Sequence, residues 1–74
     1  MKKNKCIIDG TKIMEKRKEL NLTTQDLSQL TGLRKSQIEK IEDGTTKNPY
    51  MRVLIPITRT LHIPVEDIAI FHQS

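Results

Sequence analysis

Apolar residues recur along the chain at helical spacing, and polar stop signals divide them into five segments. The first helix is expected from about Thr11 to Leu20, with Ile13 and Leu20 on one face and Arg17 between them. Asn21 stops it, because asparagine tolerates the left-handed conformation at a helix C-terminus. The second helix opens at Thr23, whose hydroxyl can cap it while Asp26, at the third helical position, completes a capping box. Leu27 and Leu30 are expected to face inward, and Gly32 to end the helix. A third helix spans Lys35 to Glu42, with Ile38 and Ile41 inward and Asp43-Gly44 as its stop. Asn48-Pro49 is expected to start the fourth, with Asn as cap and Pro at the first helical position. Met51, Leu54, Ile55, Thr58 and Leu61 form its inward stripe. Pro56 lies inside it, removes one backbone hydrogen bond and should kink the helix or loosen its first turns. His62 ends this helix, and Pro64 opens a short fifth through Val65 and Ile68. Cys6-Ile7-Ile8 and Ala69-Ile70-Phe71 read as brief strands that pair with each other. The expected fold class is therefore all-α, with a short terminal β pairing.

A length of 74 residues implies one domain with a modest core. The expected organisation is a basic segment at 1–9, the folded unit at 10–70 and a tail at 71–74. The single cysteine, Cys6, cannot form an internal disulfide, so packing or oligomerisation must stabilise the chain, in a reducing, cytoplasmic setting. The lysine-rich start lacks the apolar run of a signal peptide, and no segment approaches a membrane span. Cys6, His62 and His72 match no zinc spacing and no nucleophile set, so no enzyme, metal or cofactor is expected. Glu15 and Glu19 argue against the first helix lying on a membrane. The net charge of +4 is a mild push toward polyanions. It resides entirely in residues 1–21, which carry seven basic and three acidic residues, whereas the rest of the chain is balanced.

The stretch from Thr24 to Ile41 carries the chemistry. Two helices that cross steeply through a tight turn need a small residue at their contact, which Ser28 supplies. They need a positive φ in the turn, which Gly32 supplies, and an apolar seam, which Leu27, Leu33, Ile38 and Ile41 supply. This is a helix-turn-helix, at about residues 23–43. Its second helix would enter the major groove of DNA and reach base edges from its N-terminal residues. The outward residues suit that task. Lysine donates to guanine, glutamine can bond adenine through both its amide atoms, serine is versatile and glutamate accepts from cytosine.

Leu22-Thr23-Thr24-Gln25-Asp26-Leu27-Ser28 through Gly32-Leu33, then Ile38-Glu39-Lys40-Ile41-Glu42-Asp43-Gly44, resembles the Cro/C1-type family, also called XRE or lambda-repressor-like. The similarity continues through Asn48-Pro49, Leu54, Leu61, Ile63 and Val65-Glu66-Asp67-Ile68. The resemblance implies a five-helix bundle without enzyme activity that binds a double-stranded DNA operator as a homodimer. It places base reading at Lys35, Ser36 and Lys40, with Gln37 and Glu39 beside them on the same exposed helix. It places phosphate contacts at Arg34, Lys47, Asn48 and Tyr50. At the start of the second helix, where the family usually has a phosphate-binding Gln, this chain departs from the pattern with Thr24 followed by Gln25, and the phosphate contact is expected from one of these two. Arg34 replaces the family's usual Ser/Thr cap of the third helix. Arg17 and Glu42 match a buried ion pair that joins the first helix to the end of the third.

The functional expectation is a sequence-specific transcriptional regulator, a repressor that acts by occupying its operator, with Ile70 and Phe71 either capping the bundle or, the favoured reading, forming a dimer contact. A chain of this length has no room for a ligand-sensing domain, so control would come from concentration, a protein partner or proteolysis. Two alternatives stay open: an antitoxin-type autoregulator that also binds a toxin, and a protein-interaction module on the same fold.

Overall fold

The computed structural model describes residues 7–70. Cys6, Phe71, His72 and the lysines at the start of the chain lie outside them. Five helices follow in order: α1 (Gly10–Glu19), α2 (Thr24–Thr31), α3 (Lys35–Glu42), α4 (Met51–Leu61) and α5 (Val65–Ile68). Strands β1 (Ile7–Ile8) and β2 (Ala69–Ile70) bracket them and pair antiparallel, Ile7 opposite Ile70 and Ile8 opposite Ala69.

Most helix ends are built as their residues dictate. Asp9 caps α1 by accepting from the Thr11 N–H at 3.0 Å. Thr23 and Asp26 form a complete capping box on α2, each side chain accepting from the other's backbone N–H at 3.0 Å. Asn21 (φ 61°) and His62 (φ 56°) are both left-handed. Each is followed by a residue whose N–H closes back on the helix, Leu22 on Arg17 and Ile63 on Thr58, both at 3.0 Å. Gly32 (φ 77°) turns the chain between α2 and α3.

The core joins all five helices and β1: Ile8, Ile13, Leu27, Ile38, Ile41, Leu54, Ile57, Leu61 and Ile68 are buried. Three expectations about facing residues need correction. Leu30 is 60% exposed, because the inward stripe of α2 runs through Thr24, Leu27, Ser28 and Thr31. Leu20 is also exposed rather than part of the core, at the left-handed closure made by Asn21. On α4 the stripe is Leu54, Ile57, Thr58 and Leu61, so Ile57 is buried and Ile55 faces out. The buried hydroxyl of Thr58 is satisfied by donating to the Ile55 carbonyl at 3.0 Å.

The start of α4 differs too. Tyr50 is extended (ψ 150°) and occupies the N-cap position, so the helix begins at Met51. Pro49 therefore precedes the helix and is buried. Pro56 interrupts the hydrogen-bond ladder within α4, yet the helix continues across it to Leu61.

Candidate nucleic-acid interface

Hydroxyls hold the turn between α2 and α3. The Ser28 hydroxyl donates to the Leu33 carbonyl. Thr31 donates to the Leu27 carbonyl at 2.7 Å and accepts from the Leu33 N–H at 3.2 Å. Ser28 thus serves as a tie across the turn as well as a small residue at the crossing. These bonds satisfy the backbone where the chain leaves one helix and enters the next, so the angle between the helices is set locally.

The end of α3 is fixed by the rest of the molecule. Ile38 and Ile41 are buried. Glu42 receives Arg17 in a two-pronged ion pair, Nε to Oε2 at 2.7 Å and Nη2 to Oε1 at 2.9 Å. The remaining Arg17 nitrogen, Nη1, donates to the Leu22 carbonyl at 2.8 Å, so one guanidinium braces α3 and the α1–α2 connection together. The Glu42 hydrogen bonds outweigh burial and hold the Arg17 guanidinium above its already high ordinary pKa.

Gly10 supplies a second anchor that no local pattern announced. A Cβ at this position would lie 1.8 Å from the Ile41 carbonyl oxygen and 2.8 Å from its carbon. The first residue of α1 therefore packs backbone to backbone on the last turn of α3, an approach open only to glycine.

The start of α3 is free. Lys35, Ser36, Gln37, Glu39 and Lys40, the expected readers, are all exposed. Lys35 Nζ and Glu39 Oε2 are 4.0 Å apart with both side chains about half exposed, so their attraction is weak and easily exchanged for another partner. Arg34 occupies the N-cap with extended backbone (ψ 143°), and its guanidinium has no acceptor with which to cap a helix. Gln37 supplies half of a cap instead: its Oε1 accepts from the Arg34 N–H at 3.0 Å. This bond aims the amide oxygen back along the helix and leaves the Nε2 donors as its free group.

Among the expected phosphate contacts, Gln25, Arg34, Lys47, Asn48 and Tyr50 are exposed, whereas Thr24 is half-buried on the inward stripe of α2. The α3–α4 loop is held by its backbone. Thr45 N–H donates to Asp43 Oδ1 at 2.8 Å, and Thr46 N–H to the Lys40 carbonyl at 2.9 Å. Thr45, with a smaller contribution from Lys40, keeps the Asp43 carboxyl below the ordinary carboxylate range. A cleft between α3 and this loop is lined by Gln37 and Lys40 on one side and by Thr46, Pro49 and Tyr50 on the other. It brings two of the expected readers beside the loop, while Lys35, Ser36 and Glu39 lie outside it. Sequence reasoning also missed Arg52, whose guanidinium lies 5.1 Å from the centre of the Tyr50 ring and adds a cation beside the loop.

Comparison with known proteins agrees with this architecture. Residues 10–71 match the family description of a helix-turn-helix domain. An uncharacterized HTH-type transcriptional regulator of Archaeoglobus fulgidus is 33% identical over 64 residues, covering 86% of this chain and 89% of the relative. The crystal structure of SinR, the master regulator for biofilm formation, in complex with DNA superimposes with a TM-score of 0.73 at 28% identity, over 77% of this chain and 90% of that one. The SinR/SinI protein complex gives a TM-score of 0.74 at 28% identity, over 78% of this chain and 56% of that one. A transcriptional regulator from Listeria innocua, at 17% identity and a TM-score of 0.68 over 92% of this chain and 64% of that one, shares the fold. With its helix pair, its five-helix bundle and a family match across nearly its whole length, the chain belongs to the XRE-type helix-turn-helix family of DNA-binding transcriptional regulators.

Proposed function

We propose that this protein binds a specific duplex DNA operator as a homodimer in the cytoplasm and represses transcription by occupying that operator. The observation that carries this reading is the division of α3, whose end is buried and anchored while its outward residues stand exposed. Lys35, Ser36, Gln37, Glu39 and Lys40 contact base edges; Gln25, Arg34, Lys47, Asn48 and Tyr50, with Thr24 at the margin, contact phosphates. The solved complex of SinR with DNA supports the assignment by likeness.

Geometry favours two copies. An α3 of eight residues is about 12 Å long and spans roughly four base pairs. Four base pairs recur too often in a genome to define one site, so a second copy must read a second half-site about one helical turn away, roughly 34–36 Å. Ile70, exposed on β2, is an apolar residue available for that contact. A protein partner is the second reading, supported by the SinR/SinI complex among the similar structures.

Selection of bound fragments from random duplex DNA, followed by salt titration, tests the proposal. An enriched sequence with two related half-sites is expected. Arg34 and Lys47 from each copy make four cationic contacts, for which log affinity should fall against log salt with a slope of about −3.6. Failure to enrich any sequence, or a slope near zero, overturns it in favour of a protein-interaction module.

A further inference from the structure

We propose that β1 is a strap that positions the phosphate-contacting loop, so that Ile8, ahead of the helix-turn-helix domain, sets DNA affinity without touching DNA. The inference rests on the DNA-binding reading above and extends it to a segment that the family match, which begins at Gly10, does not include.

Two hydrogen bonds and one strand pairing converge on this short segment. Ile8 N–H donates to the Lys47 carbonyl at 2.8 Å, within the loop that carries Lys47, Asn48 and Tyr50. Asp9 N–H donates to the Ile68 carbonyl at 2.8 Å, at the end of α5. The pairing of β1 with β2 fixes the strand's register. The Ile8 side chain is buried in the core at 4% exposure, and Gly10, two residues on, is seated on the Ile41 carbonyl. The strap is therefore located by the core, the second strand and the end of α3. Its one bond to the loop transmits that location to the Lys47 backbone.

The Lys47 side chain is exposed and points to no partner among the hydrogen bonds and ion pairs of the described residues. Its placement relative to α3 thus depends on its backbone, which the loop's own turn holds on one side and Ile8 on the other. Without the Ile8 bond the Lys47 carbonyl would exchange its partner for water and the loop would be free to move relative to the recognition helix. A phosphate contact needs the lysine at one distance from the readers, so such freedom weakens binding.

The test removes one N–H at a time from the full chain by replacing a backbone amide with an ester. The probe is the duplex that the unaltered protein selects from random sequence. The ester at residue 8 should weaken binding about five- to tenfold and reduce the salt slope by about one per copy, with the order of preferred bases unchanged. The ester at residue 9 removes the bond to Ile68 and should leave affinity within twofold, which controls for a general loss of stability. In a Lys47→Ala background the residue 8 ester should add less than twofold, since both changes remove the same contact. Equal losses from the two esters, effects that multiply with Lys47→Ala, or an unchanged affinity at residue 8 would each overturn the strap. A Lys47→Ala protein that binds as before would instead overturn the loop's role as a phosphate contact, and the strap with it.

Discussion

The two ends of α3 are opposites. At its start, Arg34 to Gln37 are exposed, and the first turn is held by one side-chain bond from Gln37. At its end, Ile41 and Glu42 are buried between a guanidinium and a glycine backbone. The contrast teaches where each kind of interaction belongs. A side chain that must exchange water for a base edge cannot already be committed to the protein. A helix that must present such side chains in one orientation has to be gripped by atoms that never meet DNA.

This contrast is open to attack from both ends. The largest effect is expected from Arg17→Ala, which leaves Glu42 buried without its partner and should cost about 3–5 kcal/mol of stability, read by denaturant unfolding. DNA binding would fall with it only as far as the protein unfolds. Gly10→Ala comes next, at about 3 kcal/mol, because the new Cβ must push the Ile41 carbonyl away. Here the folded fraction should also bind more weakly, since α3 is displaced. Lys35→Ala should cost roughly 1–3 kcal/mol of operator binding and relax the preference at one base position, with the melting temperature unchanged. A Lys35→Ala protein that loses as much stability as Arg17→Ala would erase the distinction between the ends. Equal loss on every sequence would demote Lys35 to a phosphate contact.

The smallest effect is one of pH. Thr23, chiefly through its backbone N–H, holds the Asp26 carboxyl below the ordinary range, and hydrogen bonding from Thr45, side chain before backbone, lowers Asp43. A depressed pKa in the folded state adds stability above the unfolded value of about 3.9 and loses it as pH falls through the folded value. A gentle decline below about pH 4 is expected in a thermal melt series, and Asp26→Asn should flatten it. Arg17 shifts the other way, upward, so its contribution is lost only as pH rises past a value beyond ordinary use.

Much of this was legible because the signals are local. The capping box at Thr23 and Asp26 and the left-handed turns at Asn21, Gly32 and His62 each follow from residues within a few positions of one another; the terminal strands show as short apolar runs, although their pairing joins opposite ends of the chain. Facing was harder to read. In α4, Val53, Leu54, Ile55 and Ile57 are apolar nearly all round, so the sequence supports two stripes, and only the neighbouring helices decide that Ile57 is inside. In α2 the true stripe is mostly hydroxyls, which a search for leucines passes over. The Arg17–Glu42 pair was reached through family resemblance, and the structure supplies its geometry. Gly10 was unreadable, because its constraint comes from a carbonyl on a distant helix.

The contact between Gly10 and Ile41 also bears on how such a protein can change its target. The grip is made by main-chain atoms and is blind to which side chains α3 carries on its outer surface. Lys35, Ser36, Glu39 and Lys40 can therefore be exchanged for other residues without altering how the helix is seated. Under the proposed reading, specificity becomes a replaceable text on a fixed page, and a new operator is learned through a few surface substitutions while the glycine stays where it is.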